Sequence, residues 1–364
     1  MSIAATLGVY GHGMITAVGH DAESTCAAMR ASVHGATKAN LWDPTAGKRL
    51  QAARPVLHQW WEGATLWPNL AARAVSECLE QANIGATGEP LEPQRIPIVS
   101  LLPPAGRPLL PNDLAAGFAE ALSHKLGWPL PHGSGTLQVG RTGAVHALPW
   151  VTQALRSGAK AVVVVGVESF LRQAIVNHYL DAGRLLCGAN SNGFVPGEAA
   201  CAVLMAPAGR ANVPCLHILG IGLEREVLAV KGMAGQATRS EAMSRAWRCA
   251  LTQAGVHFYD IAFSLSDLNG ERFKFKEAAF AAARLDRVPP ERRSRRAKGF
   301  AQMWHPSEYL GEIGAAVSPC LLGWTFEAGR RGYAPSVHAM LHASEDEGER
   351  MAIVTRFHSG DRVS

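Results

Sequence analysis

Residues Gly135–Ser169 read GTLQVGRTGAVHALPWVTQALRSGAKAVVVVGVES. GTLQV predicts a short strand, the next fifteen or so residues a helix, and AVVVVGV a second strand. The second strand is apolar without a break from Ala161 to Val165, as expected of a strand covered on both faces. A strand, a tight turn and a helix start is a setting in which many α/β enzymes place a nucleophile. Here the turn is Val139-Gly140-Arg141-Thr142-Gly143, which holds no thiol and no serine.

Outward from this unit, strands and helices alternate. LGVYGHGMI (7–15) predicts a strand and turn. DAESTCAAMRASVHG (21–35) has an acidic start, a helical body and a glycine stop. NLAARAVSECLEQANIG (69–85) repeats that form, with Asn69 as the cap and Gly85 as the stop. IPIVSLL (96–102) is a short buried strand, LAAGFAEALSHKLG (114–127) a helix, and GEAACAVLMA (197–206) a strand after a glycine-rich turn. The later chain gives strand PCLHILGIGLE, helix SEAMSRAWRCALTQAG, strand IAFSLSDLNG, helix KFKEAAFAAARL, and strands YAPSVHAML and MAIVTRF. The pattern predicts an α/β protein with largely parallel strands. A seam is expected between Pro207 and Pro214, dividing the chain into halves 1–210 and 211–364.

Hydrophobic residues make up 48% of the 364 and charged residues 18%, which indicates a globular chain with a large core. There is no apolar run of membrane-spanning length, and the N-terminus lacks the basic region of a signal peptide. Seven scattered cysteines without a CxxC pair point to reduced, mostly buried thiols and a cytoplasmic location, not a disulfide or zinc framework. No metal-ligand spacing stands out and no cofactor is implied. A net charge of +5 is too mild to imply nucleic acid. Segment 287–299, RVPPERRSRRAKG, reads as a solvated basic loop or as a docking patch for an acidic partner. HASEDEGER (342–350) reads as a polar tip between two strands.

Five segments in order resemble the β-ketoacyl-acyl-carrier-protein synthases of the thiolase superfamily. VYGHGMITAVGHDAESTCAAMRASVHG is similar to their first strand, glycine turn and helix. GFVPGEAACAVLM (193–205) is similar to their G-F-V-x-G-E-G-A turn. AWRCALTQAGVHFYDIAFSLSDLNG resembles the segment ending N-A-H-G, HPSEYLGEIGAAVSP (305–319) the K-S-x-x-G-H-T-x-G-A-A-G loop, and LRSGAKAVVVVGVES the helix end and strand after the nucleophile. The resemblance spans almost the whole chain. It implies the five-layered thiolase fold, with two pseudo-symmetric α/β halves.

That family attacks a thioester with a cysteine at a helix N-terminus and stabilises the charge that develops with two histidines. Carried over by position, the cysteine slot falls on Arg141 counting back from LRSG, or on Gly140 counting back from Glu168. The histidine slots fall on Asn269 and Gly311, with Leu310 in place of the glycine before the second, and the lysine slot falls on Pro306. The family's late glycine-rich loop gives way to HASEDEGER. Such parts act as a unit, so their joint absence predicts a chain that does not condense acyl groups. The leading reading is a non-catalytic scaffold, partner subunit or chaperone-like adaptor. Cysteine-less partner subunits of polyketide synthase pairs, and degenerate thiolase-like proteins encoded beside type VI secretion effectors, are the precedents the resemblance supplies. The alternative is an acyl-thioester enzyme, or a binder of acyl chains or acyl carrier protein, with a non-standard site around Asn269 and Glu312.

Thr142, Asn269, Trp304, His305 and Glu312 are the candidate pocket residues, with Ser318 and Cys320 close by in sequence. Thr142 is expected to cap the helix after the turn. Arg141 opposes the helix dipole unless it meets a carboxylate or fills the old acyl tunnel. Glu312 reads as a loop cap or ion pair, His146 as a packed core histidine, and Glu168 as a buried ion pair or backbone acceptor. The resemblance also implies a homodimer in which Gly135, Thr136, Leu137, Gln138 and Val139 pair antiparallel with their copies.

Overall fold

The computed structural model describes residues 7–57, 65–82, 91–111, 113–209, 213–226, 240–287 and 301–360. The first half carries β1 (Leu7–Ile15), α1 (Ala22–Arg30), β2 (Ala36–Asp43), β3 (Lys48–Ala53), α2 (Leu66–Gln81), β4 (Ile98–Leu102), α3 (Leu114–Leu126), β5 (Gly135–Gln138), α4 (Gly143–Arg156), β6 (Val162–Ser169), α5 (Gln173–Asp181) and β7 (Glu198–Pro207). The second carries β8 (Cys215–Arg225), α6 (Glu241–Ala254), β9 (Phe263–Ser266), α7 (Arg272–Asp286), β10 (Gln302–Trp304), α8 (Ser307–Leu310), α9 (Val317–Arg330), β11 (His338–Ser344) and β12 (Glu349–His358).

Ten strands share one hydrogen-bonded order, β10-β9-β11-β12-β8-β1-β7-β6-β4-β5. The halves meet where β1 and β8 run antiparallel, with Leu7 opposite Ile218 and Val9 opposite Leu216. Outward from that junction the orders are β1-β7-β6-β4-β5 and β8-β12-β11-β9-β10. In each, the first two pairings are antiparallel and the last two parallel. The sheet is therefore mixed, which corrects the expectation of largely parallel strands.

Alternation along the strands builds the layers. Val162 and Val164 of β6 face one apolar cluster while Val163 and Val165 face another, so the strand is buried on both faces. The first cluster contains α4 and α9 and touches both halves of the sheet. The second holds α2 and α3, and a third holds α6 with Met340, Ala352 and Val354 from β11 and β12. The result is helices, sheet, helices α4 and α9, sheet, helices. Gly166 lets β6 approach the start of α9: an added methyl there would lie 2.2 Å from the Ala315 carbonyl oxygen.

Local signals hold in part. Asp21 caps α1, its Oδ1 accepting from Ser24 N at 2.6 Å. Asn69 is not a cap: α2 begins three residues earlier, behind Thr65, and the Asn69 amide donates to the Thr65 carbonyl at 2.7 Å. Its proposed stop, Gly85, lies outside the described residues, as do 288–299 of the basic segment and 210–212 of the expected seam. Five of the cysteines (Cys26, Cys78, Cys201, Cys215 and Cys320) are buried, whereas Cys187 is half-buried and Cys249 exposed. Among the described residues, no helix is long and apolar enough to cross a membrane.

Candidate functional site

The two central helices begin alike. A 3-10 turn, Gly140–Thr142, leads into α4, and another, Gly314–Ala316, leads into α9. Each start leaves backbone N–H groups free of intrahelical partners, and each receives a carboxylate from the opposite half. Ala315 N points to Glu168 Oε2 at 3.4 Å, and Arg141 N donates to Glu345 Oε2 at 2.8 Å. Glu168 lies in β6, and Glu345 directly follows β11, its counterpart in the second half. Glu168 is neutralised by the buried guanidinium of Arg107. The positive end of α4 thus holds a carboxylate of the chain itself.

The Arg141 side chain completes that arrangement. It is 3% exposed. Its Nε donates to Glu312 Oε1 at 3.1 Å, and its Nη1 to Glu345 Oε1 at 2.9 Å and Asp346 Oδ1 at 3.3 Å. Glu312 Oε1 also accepts from Gly314 N at 2.9 Å, while its Oε2 accepts from the Asn269 amide. Burial pushes the Glu312 carboxyl up, but Arg141 and Lys274 outweigh it and hold the group at about 2. Arg184 joins the cluster through Glu271 at 2.7 Å and Asp346 at 2.6 Å, and Lys274 pairs with Asp267. Five carboxylates (Asp267, Glu271, Glu312, Glu345, Asp346) thus face three cations (Arg141, Arg184, Lys274). Burial, above all, pushes the Glu345 carboxyl up, and Asp346 adds to the rise.

The structure brings Arg141, Asn269 and Glu312 together, and it adds partners that the sequence motifs did not indicate. Glu345 and Asp346 are not a solvated tip: the β11–β12 hairpin turns them inward onto Arg141, because a buried guanidinium needs them there. Asp267, Glu271, Lys274 and Arg184 were missed as well. The available signal was the acidic run SEDEGE (344–349) in a chain whose Arg141, at a helix start, called for an anion.

Other candidates take different places. Thr142 precedes α4 without capping it; its hydroxyl donates to Glu349 Oε2 at 2.9 Å, and the His146 ring pairs with the same oxygen at 2.8 Å. His146 is therefore a half-buried surface partner, not a core histidine. With hydroxyl and imidazole on one carboxylate oxygen, the trio ties α4 to β12 and forms no nucleophile–base relay. Ser318 accepts from Ala144 N at 3.0 Å, so α9 supplies a side-chain acceptor to the first turn of α4. Cys320 is buried in the central core. Gly311 follows α8 with φ of 68°, and Pro306 precedes that helix. Trp304 stacks on Trp324 and Tyr333, with ring centroids at 5.1 and 6.0 Å. His305 packs edge-on against Phe275. Burial lowers its basicity. Trp304 and His305 therefore do not share the Arg141 cluster. Among the described residues no group of three or more His, Cys, Asp or Glu side chains is placed to hold a metal ion.

No protein-family model and no curated protein matches the chain. Solved structures do. An oxazolomycin ketosynthase domain from Streptomyces albus matches with a TM-score of 0.75 at 12% identity, covering 98% of this chain and 76% of that one. A ketosynthase in complex with its chain length factor, from Xenorhabdus doucetiae, matches with a TM-score of 0.72 at 12% identity, covering 97% and 98%. The ishigamide ketosynthase/chain length factor matches with a TM-score of 0.69 at 17% identity, covering 97% and 99%. The layers, the mirrored strand order and these matches together establish that the chain has the thiolase fold in the form that ketosynthases carry.

Proposed function

We propose that this protein is a ketosynthase-fold chain that does not condense acyl groups and serves as a partner subunit or scaffold. One observation carries the reading: the start of α4, to which the resemblance assigns the nucleophile slot, is occupied by the Arg141–Glu312–Glu345–Asp346 ion cluster, with the Glu345 carboxylate on the α4 N-terminus. A thiolate or oxyanion would have to displace that carboxylate from the N–H it already occupies. The presence of ketosynthase/chain length factor assemblies among the structural matches supports a paired role. The halves 1–210 and 211–364 are proposed as its two structural units. Its partner would be a second copy or a different protein, an acidic one or a bacterial secretion effector among the candidates. The reading with a non-standard site is disfavoured because Asn269 and Glu312 are spent on each other and on Arg141.

The test is intact-mass analysis after incubation with acyl-coenzyme A and acyl-carrier-protein donors. We expect no mass increase. A stable acyl adduct on residues 139–143 would overturn the reading.

A further inference from the structure

Away from the Arg141 cluster, a crevice of about 490 Å³ opens between α1 and the C-terminal end of α9. One wall is formed by the exposed Ala27 of α1 and Ala31 just after it, with the buried Cys26 behind them; the other is the ring of Tyr333. Charged groups stand around it, and all but one are matched. Arg331 bridges Glu23 and Glu327, Arg330 pairs with Glu327 at 2.7 Å, and His12 lies 3.3 Å from the same carboxylate. Burial pushes Glu327 up, but His12 and Arg330 outweigh it and hold the group at about 2, so this rim stays ionised near neutrality. Arg30 is the exception. Its guanidinium lies 4.5 Å from the centroid of the Tyr333 ring, and among the described residues it has no carboxylate partner.

We propose that this crevice binds a singly charged amphiphilic anion, a carboxylate or sulfonate on an apolar body. The anion would take the free donor edge of Arg30, which its stacking on Tyr333 holds in place. The body would lie against Ala27, Ala31 and the Tyr333 ring, and the crevice volume falls in the range that small ligands fill. A dianion or a cation fits worse. The neighbouring cations are already matched by Glu23 and Glu327, so a second negative charge would meet carboxylates, and a cation would meet Arg30.

The probes are 8-anilinonaphthalene-1-sulfonate, followed by fluorescence, and octanoate, followed by calorimetry, on the full chain. We expect one site per chain and competition between the two. Arg30→Gln should weaken both by at least roughly tenfold, the scale on which a charge-assisted hydrogen bond acts. Ala27→Trp should abolish binding by filling the crevice, with an unchanged melting temperature showing that the fold survives. N-phenyl-1-naphthylamine, which lacks the sulfonate, should bind wild type weakly and be indifferent to Arg30→Gln. Absence of binding up to millimolar probe, or affinities that neither substitution changes, would overturn the proposal.

Discussion

Replacing Arg141 by alanine would strand Glu312, Glu345 and Asp346 around a cavity without their shared cation. Removing one partner from a buried ionic cluster typically costs about 3–5 kcal/mol, and a urea midpoint should show a loss of that size. Arg141→Cys should behave no better. It places a thiol at the start of α4, yet Glu345 still occupies the backbone N–H, so no acyl adduct is expected by intact mass. Acid should act on buried groups of the fold with opposing signs. Glu77, which burial raises to about 7, binds a proton in the folded state first and so adds stability as pH falls from 7 to 4.5. His342, which burial lowers to about 4, resists protonation in the folded state and so loses stability as pH falls from 6.5 to 4. Glu312 is held at about 2, so its contribution is complete above 4.5 and disappears as pH falls through 2. The melting temperature should thus change little between pH 7 and 4.5 and fall steeply below it; a steady fall from pH 7 would contradict this account. The sequence alone offered two places for Arg141, against an anion or in the old acyl tunnel. It did not show which, because the anions come from Glu345 and Asp346, 204 and 205 positions away, in a stretch that by local composition belongs in water.

The turn before α4 is the element on which the site is built. Gly140 has φ of 61°, and an added methyl would lie 2.1 Å from Glu345 Oε2 and 2.8 Å from Pro104 Cδ. Gly158, in the turn after the same helix, also has a positive φ, but nothing lies within 4 Å of an added methyl. The two glycines separate backbone strain from displacement. Gly158→Ala should cost about 1–2 kcal/mol for the left-handed backbone alone. Gly140→Ala should cost about 1–3 kcal/mol more, because it pushes Glu345 off its donor. Equal losses in chemical denaturation would mean that Glu345 moves aside freely and is not fixed on the helix start. Which elements exist was legible: periodicity and glycine stops foretold β4, α3, α4, β6, β7 and α6. Strand direction was not, because composition does not encode it. The β11–β12 connection is too short for anything but a hairpin, whereas the chain between β6 and β7 contains a helix and still returns antiparallel.

At the scale of the whole molecule, the sheet has two ends, β5 and β10. Among the described residues no strand pairs with the outer edge of β5, and no charged residue and no proline lies between Gly133 and Gly140. Its residues are only half-buried, and Trp150 of α4, 43% exposed, stands beside Gly135. An uncharged edge flanked by an exposed tryptophan calls for a partner. Antiparallel pairing of residues 135–139 with their copies would satisfy the ladder and cover the indole. The interface would then be of the large obligate kind, on the order of 2,000 Å² or more. Light scattering at micromolar concentration should give twice 38.7 kDa. Leu137→Pro should break the assembly by removing a ladder donor. Trp150→Asp should weaken it without touching the strand, by placing a charge where the interface is apolar. A clean monomer at 38.7 kDa with an intact far-ultraviolet spectrum would sink the homodimer. That outcome would mean either that another segment of this chain covers the edge or that a different protein does, and in the second case the chain would be one half of a heteromeric pair.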